Sequence, residues 1–309
     1  MKVLFVSSGN IRGLVPFIES QGESIKEEGV DLDYYLVYGR GVRGYLKNIK
    51  LIRKQIIENK YDVVHAHYGL IGLLCALAFT KKPIVLSIMG SDAYGNFNEK
   101  GERLKKSYID MLLTQIAIFF AKHIIVKSEN LLKYIPKRKK CDIVPNGVNF
   151  EIFAPDSNTL VNSNSILFLA NENDSRKNYA LLKESVKYIK SEKVNVINPY
   201  PISHSEFPYY LNKCSVFVLT SYQEGSPNVI KEAMACNIPI VSTNVGDVEK
   251  IIMNTQGCYL TSFDPKEVAE KIDKAILFNK RTTGRNDIKH LNSKLVAKKI
   301  IEIYKSVNR

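Results

Sequence analysis

The sequence predicts an α/β protein with two doubly wound parallel sheets, and three observations support this fold class. Short apolar runs alternate with amphipathic helical segments along nearly the whole chain. Several of these runs are apolar at every position, as expected for parallel strands that helices cover on both faces. A polar run over 156–165 separates two such series, and 309 residues are enough for two medium-sized domains.

The elements follow in order along the two series. In the first, over residues 1–155, we predict strands at 2–7, 33–37, 63–65, 84–88, 124–126 and 142–144 and helices near 16–28, 45–58, 71–78, 104–121 and 128–134. In the second, over 156–290, we predict strands at 166–170, 194–197, 216–219 and 238–242 and helices at 178–191, 205–213, 227–236 and 264–279. A last helix is predicted at 291–307.

The segment from Glu224 to Glu232 combines a predicted helix N-terminus, which could bind a phosphate, with two carboxylates. Ser226 is expected to cap a helix that begins at Pro227, and Asn237 to end it in the left-handed conformation. The N–H groups at such a helix start favour a phosphate, whereas carboxylates favour sugar or ribose hydroxyls. From spacing alone, a solvated loop charge and a surface helix residue explain the two glutamates equally well.

This segment resembles the signature of the retaining, nucleotide-sugar-dependent glycosyltransferases of family 4, which have the GT-B fold. The family pattern is Glu-Gly-x-Pro followed by Glu-Ala-Met-Ala, and the matching residues are Glu224, Gly225, Pro227, Glu232, Ala233, Met234 and Ala235. Weaker similarities follow in the family's order at 62–69, 86–92, 126–128, 143–148 and 176–178. The resemblance implies two Rossmann-like domains that face each other across a cleft.

The resemblance also implies a division of labour between the domains. Residues 1–155 would bind the acceptor, residues 156–290 would bind the nucleotide-sugar donor, and a helix at 291–309 would pack back on the first domain. The segment between 194 and 205 is shorter than in many relatives, where a longer Gly-x-Gly segment helps recognise the base. The sequence therefore leaves the nucleotide, UDP- or GDP-linked, undecided.

On the donor side, the resemblance assigns a role to each residue of the signature. Lys177 would stabilise the departing diphosphate, and the adjacent Arg176 could add a bidentate contact. Glu224 would bind hydroxyls of the donor sugar and Glu232 the ribose, so Lys177 and Glu224 are the predicted catalytic residues. The loop residues that would offer backbone N–H groups to sugar and phosphate are Gly225, Ser226, Pro227 and Asn228.

On the acceptor side, four positions are candidates for the cleft, and each has an ordinary structural alternative. Gly9 begins a loop at 9–13 that could approach the diphosphate or acceptor or form a plain turn, and it lacks the neighbouring glycine that relatives often have. His67 ends a strand and is interpreted as structural or catalytic. Many relatives have His-Gly where this chain has Met89-Gly90, so that histidine contact is lost or replaced. Asp92 could orient an acceptor hydroxyl or cap a turn.

The resemblance implies retention of the anomeric configuration by front-face attack, with no metal and no other cofactor. The leaving phosphate would assist deprotonation of the acceptor. The pair Asp31 and Asp33 has the form of a metal-binding Asp-x-Asp, but it opens a strand near the N-terminus and is interpreted as a turn.

Charge and composition restrict the classes of partner that the sequence allows. The formal net charge is +13, of which +9 lies in residues 1–150 and +4 in the remainder. A basic surface attracts anionic membranes or acidic substrates, or it is simply solvated. No zinc-finger spacing or aromatic RNA-binding signature is present, so nucleic acid is not expected. Lys47, Lys50, Arg53 and Lys54 on one predicted helix, with 137–140, could meet an anionic bilayer.

The sequence also indicates a compartment. No apolar run is long enough to span a bilayer, and the N-terminus does not have the pattern of a signal peptide. The five cysteines are widely spaced and form no metal-binding or disulfide pattern. We therefore expect a cytoplasmic protein, with peripheral attachment at the inner face of a membrane as an open hypothesis.

The favoured function is transfer of a sugar from a nucleotide sugar to a glycan on a lipid carrier, as in surface polysaccharide synthesis. Two alternatives remain: a non-catalytic sugar-nucleotide-binding subunit of a polysaccharide assembly complex, and another enzyme of the same fold, such as a sugar-nucleotide epimerase. A phosphorylase is disfavoured because the chain is short and has no lysine motif for pyridoxal phosphate. The donor sugar, linkage and oligomeric state are not predicted.

Overall fold

Two compact units make up the chain. The computed structural model describes residues 1–10, 13–39, 41–97 and 102–308, and for Val42 it describes the backbone alone. The first unit consists of Met1–Gly147 together with Ser293–Arg309, and the second consists of Val148–Asn292.

Each unit is built on one parallel sheet, which confirms the predicted fold class. The first sheet has the strand order β2-β1-β3-β4-β5-β6 and the second has the order β11-β10-β9-β7-β8. The strands of the first sheet are β1 (Lys2–Ser8), β2 (Asp31–Val37), β3 (Val63–His67), β4 (Ile84–Ile88), β5 (His123–Val126) and β6 (Cys141–Ile143). Those of the second are β7 (Ser165–Leu167), β8 (Asn195–Ile197), β9 (Val216–Leu219), β10 (Ile240–Thr243) and β11 (Cys258–Thr261).

The helices lie between the strands in both units. Before β7 they are α1 (Pro16–Glu27), α2 (Gly41–Glu58), α3 (Gly69–Leu77), α4 (Ser91–Tyr94) and α5 (Lys105–Phe120), with a 3-10 helix at Glu129–Tyr134. After β7 come a 3-10 helix at Ser175–Lys177, then α6 (Tyr179–Val186), α7 (Phe207–Lys213), α8 (Asn228–Ala235), α9 (Val248–Ile252), α10 (Pro265–Phe278) and α11 (Gly284–Asp287). A 3-10 helix at Lys289–Leu291 precedes α12 (Ser293–Val307).

Side chains of β1 divide the core of the first unit into two layers. Leu4 and Val6 point into the layer that α2, α3 and α5 cover, whereas Val3 and Phe5 point into the layer under α1 and α12. This follows from the two-residue period of a strand. The C-terminal helix α12 is therefore part of the core of the first unit, where Tyr304 is fully buried.

Candidate functional site

The strand order of the second unit locates its candidate site. β7 lies between β8 and β9, so the chain leaves β7 toward one side and returns on the other. In open parallel sheets, ligands bind outside the carboxyl ends of the strands at such a switch point, where adjacent loops diverge. The two loops concerned follow β7 and β9, and they carry Lys177 and Glu224 respectively.

Lys177 and Glu224 meet in the structure, although 46 residues separate them along the chain. The Lys177 ammonium donates to Glu224 Oε1 at 2.5 Å, and the Ser221 hydroxyl donates to the same oxygen at 3.0 Å. The two side chains keep 29% and 20% of their surface exposed, so the pair is partly desolvated and still accessible. The contact fixes a cation and a carboxylate side by side at the carboxyl end of the sheet.

The turn that carries Lys177 is attached to the loop after β9 through the backbone. The Thr220 hydroxyl lies 3.0 Å from the Lys177 carbonyl and 2.9 Å from that of Asn178. The Tyr222 N–H donates to the Arg176 carbonyl at 2.9 Å. Asn178 adopts a left-handed φ of 51°, which joins the 3-10 helix to α6. These bonds hold the two loops in one arrangement before any ligand arrives.

Arg176 has a different partner from Lys177. Its guanidinium donates to Asp174 through Nε at 3.0 Å and through Nη2 at 2.8 Å, a bidentate ion pair. The hydrogen bond to Arg176 holds the pKa of Asp174 below its usual value. The Arg176 side chain is 61% exposed, so it remains accessible to a ligand.

The predicted role of Ser226 as a helix cap is wrong. The Ser226 hydroxyl donates to Asp247 Oδ2 at 2.6 Å, and Pro227 occupies the cap position of α8 in an extended conformation. Pro227 makes no side-chain hydrogen bond to the start of this helix, and the Ser226 hydroxyl is bonded to the loop after β10 instead. The Ser226 hydroxyl therefore does not occupy the N–H groups at the start of α8, and N–H groups in this position favour an anion.

The loop after β10 supports the loop after β9 by close backbone contact. Gly246 has a φ of +63°, and a Cβ built there would lie 2.5 Å from the Gly225 carbonyl oxygen. The Thr243 hydroxyl donates to the Ser221 carbonyl at 2.7 Å. Only glycine permits both this conformation and this approach.

Glu232 is almost fully buried on α8 and has a partner that was not predicted. His204 Nε2 lies 2.7 Å from Glu232 Oε1, and the His204 ring packs on Phe153 with the ring centroids 5.1 Å apart. His204 precedes α7, in the segment where the family's base-recognition residues were expected to be shortened. Nothing in the local pattern links it to Glu232, because the pairing depends on the tertiary fold.

A buried lysine lies next to the second glutamate. Lys231 is fully buried on α8, and burial lowers its pKa to about 8 against the opposing attraction of Asp247 and Glu232. Burial also raises the pKa of Asp247, which the nearby Lys231 partly offsets. The Lys231 charge therefore stabilises the carboxylate that holds Ser226. The sequence prediction did not include Lys231, because a lysine next to Glu232 has no local feature that marks it as buried.

The switch point of the first unit lies between β1 and β3, and Gly9 and His67 are found there. The Gly9 N–H donates to the Val37 carbonyl at 2.9 Å, and a Cβ at Gly9 would lie 2.6 Å from the ring of Tyr38. Ile11 and Arg12 of the predicted loop lie outside the described residues.

His67 belongs to a buried polar layer. Its side chain has no exposed surface, Nε2 lies 3.2 Å from Gln21 Oε1, and the ring stacks on His65 at 4.3 Å. Burial, assisted by the charge of Lys127, lowers the pKa of His67 to about 3. His67 is therefore a neutral imidazole within the core.

Asp92 joins the start of α3 to the residues that follow β4. Its carboxylate accepts the N–H groups of Gly69 at 3.1 Å, Met89 at 3.0 Å and Gly90 at 2.8 Å. Burial raises the pKa of Asp92, and these three N–H groups oppose the rise. Gly90 has a φ of 139°, which lets the chain turn from β4 into α4. In this arrangement both Asp92 oxygens are occupied by backbone.

Other predicted or conspicuous features lie apart from these loops. The Lys2 ammonium lies 3.7 Å from Asp31 and 3.4 Å from Asp33, and the Tyr61 hydroxyl donates to Asp33 at 2.6 Å. Within the described part of the chain, no three His, Cys, Asp or Glu side chains group as metal ligands. None of the helices described there is both long and apolar enough to cross a membrane.

A cavity of about 260 Å³ lies at the opposite edge of the second sheet. Asn164, Cys214 and Arg281 are among its lining residues, and it adjoins the amino ends of β7, β9 and β10. Because ligands of such sheets bind at the carboxyl ends, we assign the site to the loops of Lys177 and Glu224 instead.

Two family models match the chain in tandem. The model described as Glycosyltransferase Family 4 matches residues 19–152, and the one described as Glycosyl transferases group 1 matches residues 174–277. The second match includes Lys177, Glu224 and Glu232, and the first includes His67 and Asp92.

Similar proteins agree with these matches. The chain is 26% identical to the capsular polysaccharide biosynthesis glycosyltransferase CapM of Staphylococcus aureus, over 95% of this chain and 89% of that protein. It is 21% identical to the UDP-Gal:alpha-D-GlcNAc-diphosphoundecaprenol alpha-1,3-galactosyltransferase of Escherichia coli, over 68% of this chain and 64% of that protein. The crystal structure of Anabaena Alr3699/HepE in complex with UDP and glucose superimposes with a TM-score of 0.77 at 14% identity, covering 99% of this chain and 100% of that one. The similarity to the Anabaena structure, at this low identity, shows a shared fold only.

Proposed function

The chain belongs to the glycosyltransferases of group 1 and family 4, and from this premise we propose that it is a retaining, metal-independent enzyme. It would take a sugar from a UDP- or GDP-linked donor and transfer it to a glycan on a lipid carrier. The observation that carries the proposal is the contact between Lys177 and Glu224 at the switch point of the second unit.

The contact supplies the two kinds of group that a nucleotide-sugar donor needs. The donor has a diphosphate, which requires positive charge, and a sugar, whose hydroxyls are bound well by a carboxylate. Lys177 and the accessible Arg176 would bind the diphosphate, and Glu224 would bind the sugar hydroxyls. Glu232, oriented by His204, would bind the ribose. The backbone N–H groups at the start of α8 would complete the phosphate site.

The proposed reaction breaks the bond between the anomeric carbon and the phosphate oxygen. The acceptor oxygen forms its bond on the same face of the sugar, and its proton passes to the leaving phosphate oxygen. Charge develops on that phosphate in the transition state, so fixed cations beside it lower the barrier. Lys177 and Arg176 supply this charge, which is why we propose that no metal ion is required.

The names of the relatives support the substrate classes. The Escherichia coli relative is named for UDP-Gal and for an acceptor that carries diphosphoundecaprenol, and the Staphylococcus aureus relative for capsular polysaccharide biosynthesis. The structural neighbour was crystallised with UDP and glucose. A UDP-linked donor and a lipid-linked glycan acceptor are therefore the first pair to test.

The first experiment measures donor binding. The melting temperature of the purified protein is recorded with UDP, GDP, ADP, TDP and their common sugars, because a ligand of the native state raises it by mass action. We expect a shift with one nucleotide class that Lys177→Ala abolishes. Lys183→Ala is the matched control, because this lysine is exposed on α6, six residues away. No shift with any nucleotide would contradict the donor assignment.

The second experiment separates the proposed transfer from its alternatives. With the nucleotide sugar that binds, product is measured by mass spectrometry with and without a diphosphate-linked glycolipid, in buffer containing EDTA. Acceptor-dependent release of the nucleoside diphosphate is expected. Conversion of the donor without acceptor would indicate an epimerase, and binding without turnover of any acceptor would indicate a non-catalytic subunit. Loss of turnover in EDTA would contradict metal independence.

A further inference from the structure

The outward face of α5 in the first unit carries mostly apolar side chains from Tyr108 to Phe120, with Gln115 as an exposed polar residue among them. Its residues recur three or four positions apart, so they lie on one side of the helix. Six of them form what we call the α5 stripe, and they are between 39% and 61% exposed: Tyr108, Ile109, Leu112, Ile116, Phe119 and Phe120. The outward face of a surface helix in a globular protein is normally polar.

The other side of the same helix already anchors it to the unit. Thr114, Ala117 and Ile118 are buried, and a Cβ at Gly69 or Gly72 of α3 would collide with Thr114 or approach Ala117 at 3.4 Å. Packing on α3 therefore accounts for the buried half of the helix. The α5 stripe is apolar surface in addition to that packing, and contiguous exposed apolar surface is a feature of binding faces.

Basic side chains frame both ends of the stripe. Residues 102–140 contain ten Lys and Arg against three Asp and Glu. Lys105 and Lys106 are exposed at the start of α5. At its end, the Arg138 guanidinium and the Lys139 ammonium lie over the ring of Phe119, at 6.0 Å and 5.6 Å from its centroid.

A groove joins the two kinds of surface. Both the apolar side chains of Ile116, Phe119 and Pro136 and the basic side chains of Arg138 and Lys139 line it. Long basic side chains extend their charged ends from apolar surroundings toward polar groups, and aromatic side chains favour the boundary between water and lipid. This combination of apolar strip and basic rim is typical of helices that lie in the plane of a membrane surface.

We propose that the α5 stripe and its basic frame form a docking surface for an anionic lipid bilayer. The helix has 16 residues and one buried side, so it would lie at the interface with its outward side chains among the headgroups and upper acyl chains. Charge complementarity selects lipid of negative charge, because the basic residues would meet anionic headgroups on both ends of the stripe. The surface differs from the α2 lysines suggested by the sequence and includes the basic run at 137–140.

The test measures partition of the full chain into vesicles by flotation, with no sugar present. Vesicles contain phosphatidylcholine alone or with phosphatidylglycerol. We expect binding to the anionic vesicles and a loss of at least about tenfold in Leu112→Ser/Phe119→Ser and in Lys105→Glu/Lys106→Glu. Leu277→Ser is the apolar control, because Leu277 is more exposed than any residue of the stripe but lies in the second unit. Lys299→Glu/Lys305→Glu is the charge control, on α12 across the first sheet.

The possible results of this vesicle experiment can be distinguished from one another. Binding that the stripe and Lys105/Lys106 variants lose and the two controls keep supports the proposal. Absence of wild-type binding to anionic vesicles overturns it, as does binding that the stripe variants retain. A lipid-free dimer that dissociates in Leu112→Ser/Phe119→Ser, seen by sedimentation equilibrium without vesicle binding, would assign the stripe to a second copy of this chain instead. Because the assay omits nucleotide sugar, its result does not depend on the proposed transfer reaction.

Discussion

At the scale of single residues, the pair Lys177 and Glu224 contributes little to stability, and its importance lies in the proposed reaction. Both side chains are partly exposed, and ion pairs of this kind contribute only about 0–1 kcal/mol to the free energy of unfolding. Their value lies in position, because each group is held at the carboxyl end of the sheet by the other. A donor that enters would find the cation and the carboxylate already oriented.

We therefore predict that Glu224→Gln lowers kcat/KM by about a hundredfold or more with little change in stability. The amide keeps the shape of the side chain but loses the charge that orients Lys177 and binds sugar hydroxyls. Kinetics and urea unfolding are measured together. Glu184→Gln is the matched control, because Glu184 also binds a lysine at 2.5 Å, on the exposed side of α6. A mutant with full activity would remove Glu224 from the site.

The buried His67 leads to a prediction about how the free energy of unfolding depends on pH. Its pKa is about 3 in the folded protein and about 6.5 in an unfolded chain, so between these values the unfolded state binds the proton and the folded state does not. The free energy of unfolding must fall as pH falls below about 6.5, and His67 alone accounts for about 2 kcal/mol of loss between pH 7 and pH 5. His65, whose pKa burial also lowers, adds to the loss in the same direction.

The measurement compares urea unfolding of wild type and His67→Gln at pH 7 and pH 5. The variant is expected to be less stable at pH 7, because a packed ring is removed, but its stability should fall less with acid. The difference between the two pH slopes is the quantity of interest, so a general loss of stability does not obscure it. Equal slopes would mean that His67 is protonated in the folded protein at pH 5. His290→Gln, an exposed histidine of the second unit, is the control.

At the scale of elements, the loop after β10 determines where the loop after β9 lies. The left-handed Gly246 brings the backbone against the Gly225 carbonyl, and Asp247 takes the hydroxyl of Ser226. The buried charge of Lys231 supports that aspartate. Three separate interactions thus fix the segment that would contact the donor phosphate and sugar.

We predict that Gly246→Ala raises the KM for the donor by about tenfold and lowers the free energy of unfolding by about 2 kcal/mol. An L-residue in the left-handed region costs about 1 kcal/mol, and the new Cβ would also lie 2.5 Å from a backbone oxygen that cannot rotate away. Gly29→Ala separates these two effects, because its φ is +85° and a Cβ there meets nothing within 4 Å. If both variants behave alike, the contact with Gly225 does not position the loop.

Most of the regular elements could be predicted from the sequence because parallel strands and their helices have strong local patterns. β4 and β9 have the predicted bounds, Ile84–Ile88 and Val216–Leu219. The strand β11 was not predicted, because it lies at the edge of the sheet and its residues at 258–260 are only partly buried. The predicted helix at 178–191 ends at Val186, and short elements such as α4 and α9 have too few residues for a helical period to be visible.

The candidate site was predictable only in part, for a related reason. The signature from Glu224 to Glu232 is local, so the sequence alone identifies it. The pairs Glu232 with His204 and Ser226 with Asp247 join residues 28 and 21 positions apart, and only the tertiary fold brings them together. Ser226 was assigned to the helix cap because local rules favour serine there, and a tertiary partner overrode that preference.

At the scale of the whole molecule, the chain closes the first unit with its own C-terminal end. α12 packs against α1 and the layer of Val3 and Phe5, although nearly 150 residues of the second unit separate it from β6. The His65 ring on β3 lies 2.6 Å from the Tyr304 hydroxyl and 2.8 Å from Ser87. This buried hydrogen bond joins residues 239 positions apart and connects the end of the chain to the centre of the first sheet.

We predict that Tyr304→Phe loosens the first unit and leaves the second unchanged. A phenylalanine fills the same space but leaves a nitrogen of the buried His65 without its partner, at a cost of about 1–3 kcal/mol. The readout is hydrogen exchange by peptide: exchange should accelerate in β1 and β3 and stay the same in β9 and β10. Tyr188→Phe, a partly exposed tyrosine of the second unit, controls for loss of a hydroxyl. Faster exchange in both units alike would mean that they unfold as one cooperative body, and unchanged exchange in β1 and β3 would mean that the hydrogen bond does not hold α12 to the sheet.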